Sequence, residues 1–120
     1  MKSLEHTEQV TLMQWWALAH QQFGIPEQLL FAIPNGGERN LIVASKLKAE
    51  GVRAGVPDLF LAFPKKDAAG LFIEMKKANG GRPSDKQKTM LTQLADNGYA
   101  TAICHGWIEA KATIENYLRG

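Results

Sequence analysis

Asp58, Glu74 and Lys76 are ionisable residues set in or beside two apolar runs, Leu59-Phe60-Leu61-Ala62-Phe63 and Leu71-Phe72-Ile73-Glu74-Met75-Lys76, which a Pro-Lys-Lys-Asp-Ala-Ala-Gly connection joins. Burying such charges without partners costs several kcal/mol. Pro57 cannot donate to a ladder and is tolerated at a strand start, so Asp58 falls at the mouth of the first strand. In the second strand a period of two puts Phe72, Glu74 and Lys76 on one face and Leu71, Ile73 and Met75 on the other. An antiparallel return then brings Asp58 within reach of Glu74 and Lys76. Two carboxylates and a lysine at one sheet edge suit a hard cation such as Mg²⁺, which takes one or two carboxylates with waters and phosphate oxygens at about 2.0–2.1 Å. Without the ion, carboxylates about 4 Å apart repel by roughly 4 kcal/mol at an effective dielectric of about 20. With it, Lys76 can orient a water or stabilise charge on a phosphorane, and the fitting reaction is phosphodiester hydrolysis.

The elements that must position these residues follow in chain order. Leu4 to Gln22 reads as a helix stopped by Gly24 and Pro26. Val10, Met13, Ala17 and Leu18 mark one apolar side and Leu12, Trp15, Trp16 and Ala19 another, which predicts packing on two surfaces. Glu8 is in step with Leu12, Trp15 and Ala19, and Glu5 lies one turn earlier; either is a first-turn acid favoured by the helix dipole, or one of them points at the site. Leu29 to Ile33 is strand or helix end, since periodicity does not decide so short a run. The loop Pro34-Asn35-Gly36-Gly37 is a plain turn or a source of backbone N–H groups for a phosphate. A second helix is predicted from about Glu38 to Glu50, closed by Gly51, with Arg39, Lys46, Lys48 and Arg53 on its outer face.

Beyond the hairpin, Ser84-Asp85-Lys86-Gln87 fits a capping box for a third helix that ends at Gly98. Gln87 heads the stripe Met90, Leu91 and Leu94, so it either caps the helix or reaches into the site, two roles that compete for one side chain. Tyr99 to Cys104 reads as a strand, and from Trp107 a last helix uses Ala110, Ile114, Tyr117 and Leu118 as its core face. The sum is an α/β layer domain.

Composition bounds the setting. At 120 residues, 45% hydrophobic and 22% charged, the chain reads as one globular domain over residues 1–120. A single cysteine, Cys104, excludes an internal disulfide framework, makes a cysteine zinc site unexpected, and leaves a reducing cytoplasm as the default setting. No run approaches the roughly 18 apolar residues of a membrane span, and Glu5, His6 and Glu8 stand where a signal peptide would be apolar. A net charge of +2 makes any nucleic-acid reading depend on where the charge sits. Lys65, Lys66, Lys77, Arg82, Lys86 and Lys88 cluster in sequence around the hairpin, as phosphate contacts would.

Pro57-Asp58 followed by Glu74-x-Lys76 resembles the PD-(D/E)XK nuclease superfamily, and the wider text is similar to its VRR-NUC branch in the stand-alone phage or prophage form. The resemblance runs through Ile33-Pro34-Asn35-Gly36-Gly37, Lys48-Ala49-Glu50-Gly51-Val52, Gly55-Val56-Pro57-Asp58, Ile73-Glu74-Met75-Lys76, Gly80-Gly81-Arg82-x-Ser84, Gln87 and Gly98-Tyr99. It implies a restriction-endonuclease-like mixed β-sheet flanked by helices. Asp58, Glu74 and the Met75 carbonyl would be ligands of Mg²⁺ or Mn²⁺, and Lys76 the catalytic lysine. Gln87 matches the family's helix glutamine, and Glu8, more naturally than Glu5, the acid that completes the site as a further metal ligand. DNA is the implied substrate, branched or structured as in relatives of Holliday-junction resolvases, with Asn35, Arg39, Lys77, Arg82 and Lys86 as candidate backbone contacts. A homodimer in the cytoplasm of a bacterial or phage-infected cell is implied as well.

The competing reading from another class is a non-catalytic nucleic-acid-binding module whose acids and lysine are structural pairs. A binder that had lost catalysis is expected to have lost at least one member of the set, and here Asp58, Glu74, Lys76, Gln87 and Glu8 are all present.

Overall fold

The computed structural model describes residues 3–34 and 41–120. Helix α1 spans Ser3–Phe23, and a 3-10 turn at Glu27–Leu29 leads into strand β1, Leu30–Ala32. Helix α2 follows at Leu41–Ala49, then β2 at Leu59–Leu61, β3 at Leu71–Lys76, α3 at Asp85–Asp96, β4 at Ala100–His105 and α4 at Trp107–Arg119. The expected start of the second helix, the Asn35-Gly36-Gly37 loop and the candidate contacts Asn35 and Arg39 lie outside the described residues.

The four strands lie in the order β1-β2-β3-β4. β2 and β3 are the expected antiparallel hairpin, with Leu59 opposite Ile73 and Leu61 opposite Leu71. β4 joins β3 in parallel, from Leu71 beside Ala100 to Lys76 beside His105. The ambiguous run at Leu29 to Ile33 is resolved by a distant partner, because Leu30 to Ala32 pair antiparallel with β2. The sheet is therefore mixed.

One face of the sheet is the core. Leu59, Leu61, Leu71, Ile73 and Met75 are buried there with Leu12 and Trp16 of α1 and Ala110, Ile114 and Leu118 of α4. Each large apolar side chain removed from water in this way contributes about 1.5–3 kcal/mol. Trp16 also satisfies its indole N–H, donating to the Glu27 carbonyl at 2.9 Å. The alternation predicted for β3 holds: Leu71, Ile73 and Met75 point into this core, which turns Phe72, Glu74 and Lys76 to the opposite face. On that opposite face Phe60 stacks on Phe72 with ring centroids 4.2 Å apart, and Phe31 and Tyr99 pack edge-on against them.

The two-sided packing expected of α1 is met on one side only. Leu12, Trp16 and Ala19 are buried, but Val10 is 40% and Leu18 79% exposed. The lysines of the hairpin turn are also placed differently from expectation. They sit at the end of β3 remote from Glu74 and Lys76, and Lys65 Nζ donates to the Leu118 carbonyl at 2.7 Å, where a cation satisfies the C-terminal end of α4. Among the described residues no helix is long and apolar enough to cross a membrane.

Candidate active site

The site is built from the end of the hairpin. With Leu59 paired to Ile73, Asp58 comes opposite Glu74, and its Oδ2 accepts a hydrogen bond from the Met75 N–H at 2.7 Å. That bond fixes the carboxylate against β3. Glu74 is only 3% exposed, and its Oε1 is buried with no hydrogen-bond partner. Burial first, and then the neighbouring Asp58 charge, push its pKa up to about 7. The Asp58 pKa is raised too, chiefly by burial, against the lowering effect of the Met75 N–H. Burial thus disfavours the charged form of both carboxyls, and the Asp58 charge adds to the effect on Glu74.

Lys76 Nζ lies 3.5 Å from Glu74 Oε2, with its side chain 12% exposed. Asp58, Glu74 and Lys76 are thus brought together as the spacing predicts.

Gln87 does both of the things between which the sequence left a choice. Its Oε1 accepts from the Ser84 N–H at 2.8 Å, and the Ser84 hydroxyl accepts from the Gln87 N–H, closing the capping box. Its Nε2 meanwhile donates to Glu74 Oε2 at 2.8 Å. The roles do not compete, because an amide carries its acceptor and its donor on different atoms. What aims the residue is the seating of α3. Gly55, at φ +86°, lets the first turn of α3 approach so closely that a Cβ there would lie 2.5 Å from the Lys86 carbonyl oxygen.

Glu8 reaches the same end of the sheet by a different contact. Its Oε1 accepts from the Trp107 N–H at 2.7 Å, capping α4, whose own N-cap Gly106 has no side chain to do so. Gly106 in turn donates its N–H to the Lys76 carbonyl at 3.1 Å. Among the described residues no three His, Cys, Asp or Glu side chains converge as a ready-made metal cluster. The convergent acidic pair is Asp58 with Glu74. Met75 meets Asp58 through its N–H, and its side chain belongs to the core. Lys77, Arg82 and Lys86 are exposed on the loop after β3 and the first turn of α3.

One residue at this end escaped the sequence reading. The expected last strand stopped at Cys104, whereas β4 runs one residue further to His105, directly beside Lys76. His105 Nε2 is 2.7 Å from the Gly81 carbonyl. The signal available was the run of residues pairable with β3, had the parallel register been known.

The profile of the VRR-NUC domain matches residues 2–107. The chain belongs to the VRR-NUC family. A solved structure described as a VRR_NUC domain protein superposes with a TM-score of 0.83 at 27% identity, covering 97% of this chain and 88% of that one. No curated protein matches. Membership makes the chain a nuclease-type domain of the restriction-endonuclease-like fold, and the mixed sheet flanked by helices agrees with the architecture that the resemblance implied. In this VRR-NUC domain, the hairpin end is where Asp58, Glu74 and Lys76 come together.

Proposed function

We propose that this protein is a divalent-metal-dependent endonuclease that hydrolyses DNA phosphodiester bonds, with a preference for branched or structured DNA. The observation that carries the reading is the state of Glu74: a carboxylate oxygen buried without a partner, beside a second carboxylate, with a pKa near 7. Such a pair is unfavourable as it stands and becomes favourable around a hard cation. The donor set fits Mg²⁺ or Mn²⁺. Asp58 and Glu74 would hold the ion, with the Met75 carbonyl and waters completing its shell. When bound, the ion supplies positive charge to the scissile phosphate and lowers the pKa of the attacking water.

The chain's own residues do the rest. Met75 holds Asp58 through its N–H, and Gln87 holds Oε2 of Glu74, which leaves Oε1 as the buried oxygen without a partner. Lys76, confined beside Glu74, donates to the oxygen on which charge accumulates as the phosphorane forms. Glu8, whose Oε1 caps α4, would add its negative charge to the group that holds the ion, directly or through one of the waters that such a cation keeps. Lys77, Arg82 and Lys86 contact the phosphate backbone, positioning the duplex without reading sequence. A homodimer is supported by the exposed apolar side of α1, with Val10 and Leu18 outward. The non-catalytic alternative leaves the orphaned Glu74 oxygen unexplained.

The deciding experiment incubates labelled four-way junctions, flaps, single strands and plain duplex with the protein in Mg²⁺, in Mn²⁺ and in chelator. Metal-dependent cleavage, fastest on a branched substrate and absent in Lys76→Ala, is the expected result. Equal products from the parent and from Lys76→Ala would sink the assignment.

A further inference from the structure

Between β3 and α3 the chain passes through Gly80 and Gly81, and this turn lies directly on Lys76. A Cβ built on Gly81 would sit 3.1 Å from Lys76 Cβ, 3.3 Å from its Cδ and 3.2 Å from the Lys77 nitrogen, so the backbone here walls the lysine's hydrocarbon stem. One side chain holds that wall from across the sheet. His105, paired in register with Lys76, places Nε2 2.7 Å from the Gly81 carbonyl. A carbonyl only accepts, so Nε2 carries the proton. The ring is braced from behind by Glu109, whose Oε1 accepts from the His105 N–H at 2.7 Å and lies 3.5 Å from Nδ1.

We propose that His105 is a positioning residue for catalysis: through the Gly81 carbonyl it clamps the β3–α3 turn against Lys76 and so keeps the lysine's ammonium on the reacting phosphate. The inference rests on the nuclease reading above. A four-carbon stem has many rotamers, and catalysis needs one of them. The turn removes the others, and His105 removes the freedom of the turn. The same turn ends at Ser84, so its position also feeds into the cap that aims Gln87 at Glu74. His105 touches neither carboxylate of the proposed metal pair. Its loss therefore has a signature distinct from theirs.

The test compares the parent with His105→Ala, His105→Gln and Gly81→Ala, measuring kcat and KM on the best DNA substrate and Mn²⁺ affinity by titration. His105→Ala is expected to lower kcat about tenfold, with KM and Mn²⁺ affinity unchanged. His105→Gln, whose amide nitrogen can donate to the Gly81 carbonyl from a similar distance along the side chain, recovers most of that loss. Gly81→Ala keeps the clamp but crowds the Lys76 stem, and lowers kcat likewise; it decides the matter if His105→Ala does not fold. A parent that cleaves no DNA overturns the nuclease reading and this proposal together. A cleaving parent whose kcat is matched by His105→Ala, or by Gly81→Ala where the first variant is unfolded, overturns this proposal alone, as does an equal loss in the glutamine and alanine variants.

Discussion

Gln87 Nε2 donates to Glu74 Oε2 at 2.8 Å while the other end of the same amide closes the capping box of α3, so the start of a helix and the aim of the Glu74 carboxylate depend on one side chain. Gln87→Glu separates them. A glutamate still accepts from the Ser84 N–H and keeps the capping box, but it has no donor for Glu74 and brings a third negative charge to the pair. Helix content and thermal stability at pH 5 should stay close to the parent's, while cleavage falls at least tenfold. Gln87→Ala, by contrast, should lose about 0.5–2 kcal/mol of stability along with activity. Circular dichroism melts paired with a cleavage assay read both.

Glu74 makes stability depend on pH in an unusual direction. Its pKa rises from an ordinary 4.5 to about 7 on folding, so the folded state binds the proton more tightly than the unfolded one. Its contribution is therefore greatest below about pH 4.5, declines as pH rises toward 7, and levels off above that. The gap between the two values corresponds to roughly 3 kcal/mol. Denaturant melts of the metal-free protein and of Glu74→Gln should converge at acid pH and diverge at pH 8, with the variant the more stable. Parallel curves would refute the raised pKa.

Asp58→Asn should exchange activity for stability. The amide oxygen can still accept from the Met75 N–H, while the new N–H₂ offers the buried Glu74 Oε1 the donor it lacks. The variant is expected to melt higher than the metal-free parent at pH 8, to gain nothing from Mg²⁺ or Mn²⁺, and to cleave no DNA. For the parent, ligand linkage predicts a melting temperature that rises with metal concentration. Thermal scans across a metal titration check both.

Glu8→Gln isolates charge from capping. The amide carbonyl still accepts from the Trp107 N–H, so the melting temperature should hold, but the negative charge that the proposed ion would meet is gone. Cleavage should fall at limiting metal and recover at saturating metal. Glu5→Gln serves as the control and should behave as the parent. If Glu8→Gln also behaves as the parent across the metal range, its role is the helix cap alone.

The parts of the site that were legible in the sequence are those set by local rules. Strand alternation separated Glu74 and Lys76 from Met75, proline at a strand start located Asp58, and the capping box announced α3. What was not legible depended on distant partners. Leu30 to Ala32 became a strand because β2 offered an edge, and His105 became part of β4 because β3 reaches as far as Lys76. Lys65 looked like a DNA contact until the end of α4 claimed its ammonium. The two jobs of Gln87 could be set against each other but not combined, since the reach to Glu74 depends on how Gly55 seats the helix.

The Glu8–Trp107 contact spans 99 residues, nearly the length of the chain. The end of the sheet that carries Asp58, Glu74 and Lys76 is thus closed by α1 and α4, two helices far apart in sequence. Ala110 and Ile114 of α4, both fully buried, cover the inner face of β3. Closing so long a loop costs chain entropy that the local β2–β3 hairpin does not, so one end of the sheet is tied together by a contact of high sequence separation.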